Sequence, residues 1–415
     1  NHRWAPWLST YTGLSSLAYS MDNNSNVGIN FIEYTDKAYR YSAGNDILIE
    51  QLFTVTPSRP LELVTGMTFQ YSGNLPQTNF LDAPFIEAYY KPFKEHIRTI
   101  DAFTNNFGID PVSFRNFSGF VQGYYSVNKL RFMGGLRVDN NSLYGISYSP
   151  RIAALFSSSK VTRIRGSVGY AYKAPPSSLS HQALAYRTGV NLEELEYMIY
   201  PNYDLQPEKF MSVELGVLTR TRRTRINVDL SVYYNEIRNV IVSKYLYNGV
   251  NVDLPKSTQD SVLTKINQSE GVSRLYGLQA TFTAPDIVRK INMDAELSLT
   301  FAKADASSEF PDIFEIAGKL LSDLSLTPNH FGQLKISMEP VKNLYLNVST
   351  SWESNWFRLI IPFEKIYNKL FGDVPGFYTM DVVADYRISD NLHAFIKAYN
   401  IFDERYGGPV YSVIN

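Results

Sequence analysis

Apolar and polar residues alternate one by one along most of this 415-residue chain. Successive side chains of an extended strand leave opposite faces, so the alternation predicts strands with one apolar and one polar face. Ile226, Val228, Leu230, Val232 and Tyr234 share one parity, and Asn227, Asp229, Ser231, Tyr233 and Asn235 the other. Ile291, Met293, Ala295, Leu297, Leu299 and Phe301 alternate in the same way with Asn292, Asp294, Glu296, Ser298 and Thr300. Leu344, Leu346, Val348, Thr350 and Trp352 do so against Tyr345, Asn347, Ser349, Ser351 and Glu353, and Tyr378 to Ile388 repeats the pattern with Val383 as its exception. One such segment is a weak signal. Repetition, at lengths of roughly ten residues or more, is what tilted membrane-crossing strands require. A soluble sandwich also alternates, but it turns its charges outward and its aliphatics toward a second sheet.

The spacing predicts about sixteen strands, near 9–21, 26–36, 46–56, 60–72, 114–127, 129–139, 147–157, 160–172, 208–220, 223–241, 265–284, 290–304, 330–339, 343–359, 376–388 and 391–402. Short polar turns are expected at Asp22–Asn26, Pro57–Pro60, Val127–Asn128, Ser157–Ser159, Thr221–Arg222, Pro285–Arg289, Pro340–Lys342 and Ser389–Asp390. Longer connections fall near 37–45, 73–113, 140–146, 173–207, 242–264, 305–329 and 360–375, so every second connection is long. The fold class expected is therefore all-β, a transmembrane antiparallel β-barrel. In bacterial barrels short turns face the periplasm and long loops face outside. That places Asp22, Pro57 and Ser389 on the periplasmic side, and the segments around His181 and Phe314 outside. An open sheet of this size would leave two unpaired edges in hydrocarbon, where each unsatisfied backbone group costs several kcal/mol. Further strands are expected to close it.

Composition sharpens this picture. Aromatics make up 14% of residues, with 30 Tyr and 25 Phe, an excess suited to rings at two membrane interfaces. An aromatic-rich soluble β protein is the alternative. With 44% hydrophobic residues and a mean hydropathy of -0.20, no apolar run approaches the roughly 18 residues of a helical span. A net charge of -1 gives no reason to propose nucleic acid as a partner. The absence of cysteine removes disulfides, thiol catalysis and thiolate metal sites together. No linker or charge block divides the chain, so residues 1–415 read as a single barrel domain. Asn1-His2-Arg3-Trp4 carries no secretory leader, and Gly407-Gly408-Pro409-Val410-Tyr411 runs into a loop. Both ends are expected to be internal to a longer protein.

Four places carry a resemblance. Gly134-Gly135-Leu136-Arg137-Val138-Asp139, then Tyr144-Gly145 and Ser149-Pro150-Arg151-Ile152, form the first. Tyr170-Ala171-Tyr172-Lys173-Ala174-Pro175-Pro176 forms the second. Leu205-Gln206-Pro207-Glu208-Lys209-Phe210, continuing to Glu214-Leu215-Gly216, forms the third, and Asn400-Ile401-Phe402-Asp403-Glu404-Arg405-Tyr406 the fourth. In this order and spacing they resemble the C-terminal part of the barrel of TonB-dependent outer-membrane receptors. The resemblance is firm after about residue 115 and rests on strand pattern before that. It implies a barrel of about 22 strands around an N-terminal plug, sited in the bacterial outer membrane. It also implies a TonB complex that energises uptake of scarce, large ligands. Plug, TonB-contacting box and final strand are not in this sequence, so the expected partners include the chain's own plug and missing strands, together with outer-membrane lipid and lipopolysaccharide.

Within that resemblance, some haem receptors place a ligand histidine between the second and third motifs, where His181 lies, and imidazole is a good axial haem ligand. A solvated loop histidine is the alternative. Tyr186, Tyr197, Tyr200 and Tyr203 crowd the same loop, and Tyr245 and Tyr247 the next; tyrosine offers amphipathic contact area to a flat or sugar-like ligand at low entropy cost. Phe80, Phe85, Tyr89, Tyr90 and Phe93 are read as packing their own loop. Asp312 to Leu324 reads as a short amphipathic helix that packs on its own loops or receives a surface lipoprotein. Arg220, Arg222, Arg223 and Arg225 crowd one turn, solvated or facing phosphates of the inner leaflet. Asp229, Asp294, Glu296, Asp381, Asp385, Arg387 and His393 are expected to line the lumen, hydrated or paired with a plug.

No phosphate loop, nucleophile elbow or metal-spaced histidine pair is present, so no enzyme, cofactor or metal is expected. His393 as part of a hydrolase Ser-His pair is the one catalytic alternative considered. The function implied is uptake of a ferric siderophore, haem, cobalamin or oligosaccharide. A barrel that anchors a surface complex and a passive porin are the rivals, the porin disfavoured because so wide a barrel leaks unless plugged.

Overall fold

The computed structural model describes residues 2–21, 26–31, 34–39, 41–74, 77–78, 84, 86, 107–182, 184–187, 195–221, 223–246, 263–307, 328–358 and 372–405. Sixteen of its strands form one antiparallel sheet in which neighbours in space are neighbours in order. They are β1 (His2–Ala5), β2 (Leu8–Ser20), β3 (Ala43–Ser58), β4 (Leu61–Asn74), β5 (Val112–Val127), β6 (Leu130–Asn141), β7 (Gly145–Phe156) and β8 (Thr162–Lys173). The second half is β9 (Glu208–Arg220), β10 (Asn227–Arg238), β11 (Val272–Val288), β12 (Met293–Ser307), β13 (His330–Val341), β14 (Leu344–Glu353), β15 (Phe377–Ser389) and β16 (Leu392–Ala398). Among the described residues the edge strands β1 and β16 are not paired with each other.

The register carries the alternation across strands. Leu215, Val232, Leu278 and Phe301 lie side by side on β9 to β12, 57%, 47%, 39% and 51% exposed. Ile336, Val348 and Val382 continue the same face on β13 to β15. The opposite face carries Asp229, Thr281 and Ser298, and then Glu296, Lys335, Ser349 and Asp381. Val228, Leu297 and Val348 therefore share one face, and Asp229, Glu296 and Asn347 the other.

Burial runs opposite to that of a soluble domain. Prolines aside, the buried apolar side chains among the described residues are Ala43, Ile199, Leu205, Ala280 and Ala284, whereas Ser118, Asp139, Asn116, Gln122 and Ser231 are buried on the polar face. With aliphatics exposed and polar groups enclosed, the soluble sandwich is excluded. Short turns rest on residues that accept the left-handed region: Asn128 (φ 49°), Asn292 (φ 44°) and Asn343 (φ 68°).

Three expectations need correction. The stretch 26–36 is not a sheet strand: Asn26–Phe31 pairs with Tyr34–Tyr39 as a separate hairpin, and His2–Ala5 takes the first place in the sheet. Alternation reads a hairpin and a barrel strand identically, and four residues are too few to show a period. The short turn between the first two strands is consequently Pro6–Trp7, not Asp22–Asn26. Met21, bonded through its N–H to Ser42 O at 2.8 Å, stands at the long-loop end, so the periplasmic assignment of Asp22 is withdrawn; Asp22 itself lies outside the described residues. Second, 265–284 splits at Gly271 (φ 87°) into Leu263–Ser269, which belongs to the loops, and β11. Third, the connection near 140–146 shrinks to Ser142–Tyr144, so it is not long. Strands read as 223–241, 343–359 and 391–402 are shorter, the first and last ending before left-handed Asn239 and Asn400.

Candidate functional site

Two layers at the long-loop end concentrate the polar chemistry. The lower layer is the inner wall of β5 to β10. Asp139 is 1% exposed and receives Arg137 Nε and Nη2, each at 2.9 Å, on its two oxygens. Arg137 Nη2 also donates to Ser118 Oγ at 2.9 Å, and Asn116 Nδ2 donates to the same oxygen at 2.9 Å. Ser118 donates to Asp139 as well. The register places Asp139 opposite Ser118, so the antiparallel pairing itself assembles groups some 20 residues apart in sequence. A buried carboxylate is tolerated because a cation and two neutral donors replace its water. Arg165 forms a second node on the same inner wall, nearer the short-turn end, giving Nε to Glu214 at 3.0 Å and Nη1 to Asp229 at 2.8 Å.

Beside the first node a cavity of about 300 Å³ is lined by Gln70, Asn116, Asn141, Tyr144, Tyr172 and Pro175, among others. Asn116 Oδ1 is buried there without a hydrogen-bond partner. Tyr144 donates to Pro175 O at 3.0 Å, and burial raises its phenol pKa.

The upper layer is a four-stranded plate built from the loops. Leu184–Arg187, Leu195–Tyr200, Leu263–Ser269 and Ile241–Leu246 pair in that order. Its base is sewn to the barrel by side chains. Asn267 Nδ2 donates to Leu179 O at 2.7 Å, and Asn202 Nδ2 to Asn267 O at 2.8 Å. Leu205 is 1% exposed, Glu208 Oε1 accepts the Ile241 N–H at 3.1 Å, and Asn239 Nδ2 donates to Pro207 O at 3.3 Å. The motif Leu205-Gln206-Pro207-Glu208 thus fastens the plate to β9.

His181 sits in this base and not in solvent, 8% exposed. Its Nδ1 lies 2.8 Å from Ser180 Oγ, its ring meets Tyr203 edge-on at 4.9 Å, and its carbonyl accepts the Asp110 N–H at 2.9 Å. Tyr203 in turn donates to the Asp110 carboxylate. Sequence reasoning did not reveal Asp110, because it reaches His181 only through folding across some 70 residues. Tyr200 is half-buried. In backbone register Tyr186 faces Tyr197, and Tyr245 faces Lys265. Tyr247, Phe80, Phe85, Tyr89, Tyr90, Phe93, Arg222 and the segment 312–324 lie outside the described residues.

Burial holds the His181 pKa down, from 6.5 to about 4. The neutral ring is the one that fits, so the unfolded loop binds the extra proton between those values. Stability of the loop base is present in full above pH 6.5 and falls as pH drops toward 4. The protection factor of the Asp110 amide is expected to fall over that interval in the native protein and to lose this pH dependence in His181→Gln. Equal protection at pH 7 and pH 4.5 in the native chain would show that the imidazole does not couple to the fold.

Asp229, Asp294, Glu296, Asp381, Asp385 and Arg387 share the inner face but not one cluster. Lys335 lies 3.6 Å from Glu296, and His393 lies 3.3 Å from Asp385. Asp294 accepts the Asp286 N–H and Asp381 the Asn400 N–H, each at 2.8 Å. Arg387 pairs with Asp390. Arg220, Arg223 and Arg225 are exposed at the Thr221–Ile226 turn.

The chain is 21% identical over 307 residues to an iron-regulated outer membrane virulence protein of Vibrio cholerae, covering 73% of this chain and 43% of that protein. Among solved structures it superposes with a TM-score of 0.66 and 15% identity on a mutant of the ferric enterobactin receptor of Pseudomonas aeruginosa, covering 97% of this chain and 55% of that one. The siderophore receptor PirA of Acinetobacter baumannii gives 0.64 at 16% identity, covering 96% and 57%. At these identities the structural likeness shows the fold, and the chain spans about half the length of such proteins. The family model for the β-barrel of TonB-dependent receptor-like proteins matches residues 1–401. The inward polar wall, the outward aliphatic face and this match over nearly the whole chain place it in the bacterial outer membrane, as a member of the TonB-dependent receptor-like β-barrel family.

Proposed function

We propose that this chain is the greater part of the barrel of an energised uptake receptor for a scarce nutrient of the ferric siderophore class. The inner wall carries the reading: its charges, Asp139 buried and the others half-exposed, are too densely paired for a bare aqueous conduit. Asp139 is enclosed by Arg137, Ser118 and Asn116, and Arg165 bridges Glu214 and Asp229. Such a surface suits a protein plug that exchanges hydrogen bonds with the wall, whereas a passive porin needs only hydration. The plug, the strands that complete the barrel and a TonB complex are its partners in this proposal, and residues 1–415 act as one domain. The siderophore class is favoured over haem, cobalamin and oligosaccharides because the relatives above are described as iron-regulated or as siderophore receptors. The loop tyrosines Tyr186, Tyr197, Tyr200, Tyr203 and Tyr245 are its ligand-facing candidates. His181 belongs to the packing of the loop base in this reading, since Ser180 and Tyr203 already hold its ring.

Deleting the full-length gene and supplying iron only as single ferric siderophores is expected to abolish growth on at least one of them, with rescue by the intact gene. Undiminished growth on every siderophore, on haem, cobalamin and oligosaccharides would instead support the rival role, a barrel that anchors a surface lipoprotein complex.

A further inference from the structure

We propose that the outward rim of β9 to β12 binds the phosphate groups of an outer-leaflet lipid, a site that rests on the membrane-embedded reading of the barrel. The apolar face of these strands ends, toward the long loops, in Tyr234 and Tyr276, which face each other in register. Level with them on the same face stands Lys303, opposite Tyr276, and beyond them stand Lys209 opposite Arg238 and Glu236 opposite Arg274. Asp305 is opposite Arg274. By register position four cations and two carboxylates share this face, a surplus of two positive charges.

The carboxylate at its centre orders the cluster. Glu236 is 6% exposed and accepts from Tyr234 OH at 2.8 Å, Arg238 Nε at 2.6 Å and Arg274 Nε at 3.1 Å. It holds two guanidinium groups just beyond the Tyr234–Tyr276 register pair. Arg238 still keeps 67% of its side chain exposed, and Lys209 and Lys303 are exposed beside it. Preorganised, outward-facing donors at headgroup height match the oxygens of a phosphate ester, whose bidentate recognition arginine favours. The arrangement is local. At the loop end of β4 to β7 the same face carries Tyr71, Asn140, Ile146, Tyr148 and a single cation, Arg115.

Equilibrium binding to the full-length receptor in neutral detergent tests the site, with bisphosphorylated lipid A, the same lipid stripped of phosphate, and inorganic phosphate as competitor. K209Q/R238Q/K303Q is expected to bind the bisphosphorylated lipid about tenfold more weakly or worse, while K209R/R238K/K303R retains affinity. The native receptor should bind the stripped lipid as weakly as the neutralised variant binds the intact one. This last comparison needs no variant and decides the matter even if the substitutions disturb folding. Equal affinity for the stripped lipid, or an undiminished neutralised variant, overturns the site. Displacement by millimolar inorganic phosphate alone would assign it to free phosphate and overturn the lipid assignment. Uptake growth assays report on the proposed transport separately, because none of these residues faces the lumen.

Discussion

Replacing Leu278 with arginine is expected to lower the stability of the full-length protein in lipid vesicles by about 2–4 kcal/mol. The same substitution at the adjacent Gln279 should cost well under half of that. Leu278 is flanked by Val232 and Phe301 on the outward face, and Gln279 by Ser231 and Thr300 on the inward one. An arginine at 278 must carry its charge through hydrocarbon, with only the cationic rim beyond Tyr276 to reach toward; at 279 it meets a hydrated, hydroxyl-rich wall. Urea titration of folding into vesicles measures both. Equal costs at the two positions would mean that the two faces do not see different solvents.

The second large effect lies at Asp139. Asp139→Ala should destabilise by about 2–4 kcal/mol, because it strands the guanidinium of Arg137 and removes the acceptor of Ser118 and Asn116. The pair is only half enclosed: Arg137 keeps 42% of its side chain exposed while Asp139 keeps 2%. The figure therefore stays below that of a fully buried ion pair. Arg137→Ala and the double substitution complete a cycle, in which a coupling of about 1 kcal/mol or more is expected. Additive single effects would show that the two side chains are merely neighbours. Ser118→Ala is expected to be milder, about 1 kcal/mol, since it deletes a donor and leaves the ion pair.

Much of this fold was legible because a barrel strand writes its two solvents into alternate residues. Ile226 to Asn235 and Ile291 to Phe301 show the period in full, and the structure keeps Asn227 to Asn235 and Met293 to Phe301 in the sheet, with Arg289–Ile291 forming a 3-10 turn before the second. The alternation failed where it could not distinguish a barrel strand from another extended partner. Asn26–Phe31 alternates as well as its neighbours but closes on Tyr34–Tyr39, and Leu263–Ser269 continues the pattern of β11 until Gly271 turns the chain. His2–Ala5 is too short to carry any period.

The site was less legible, for a related reason. Parity alone assigns Asp229, Glu296 and Asp381 to one face, but clustering needs register. Asp139 meets Ser118 and Asn116 only because β5 and β6 pair as they do, and nothing local in Arg137-Val138-Asp139 announces that the carboxylate is enclosed. The motifs behave similarly. Leu205-Gln206-Pro207-Glu208 fastens the loop plate, and Asn400 bonds Asp381 and Glu404 at the end of β16. These are structural joints of the barrel, so they identify the family and leave the cargo open. His181 illustrates the limit. A histidine in a polar loop reads as solvated, and its burial depends on Asp110 and Tyr203 arriving from elsewhere.

Because the chain contains no cysteine, single cysteines can be introduced and spin-labelled one at a time, and solvent accessibility of the label tests the two-faced sheet most directly. In vesicles, labels at Leu215, Val232 and Leu278 should relax with oxygen, which concentrates in hydrocarbon, and be shielded from a water-soluble nickel reagent. Labels at Glu214, Gln279 and Gln333 should show the reverse. Nickel access at Val232 and Leu278 with oxygen access at Gln279 would contradict an aliphatic face turned to lipid and a polar face enclosing the lumen.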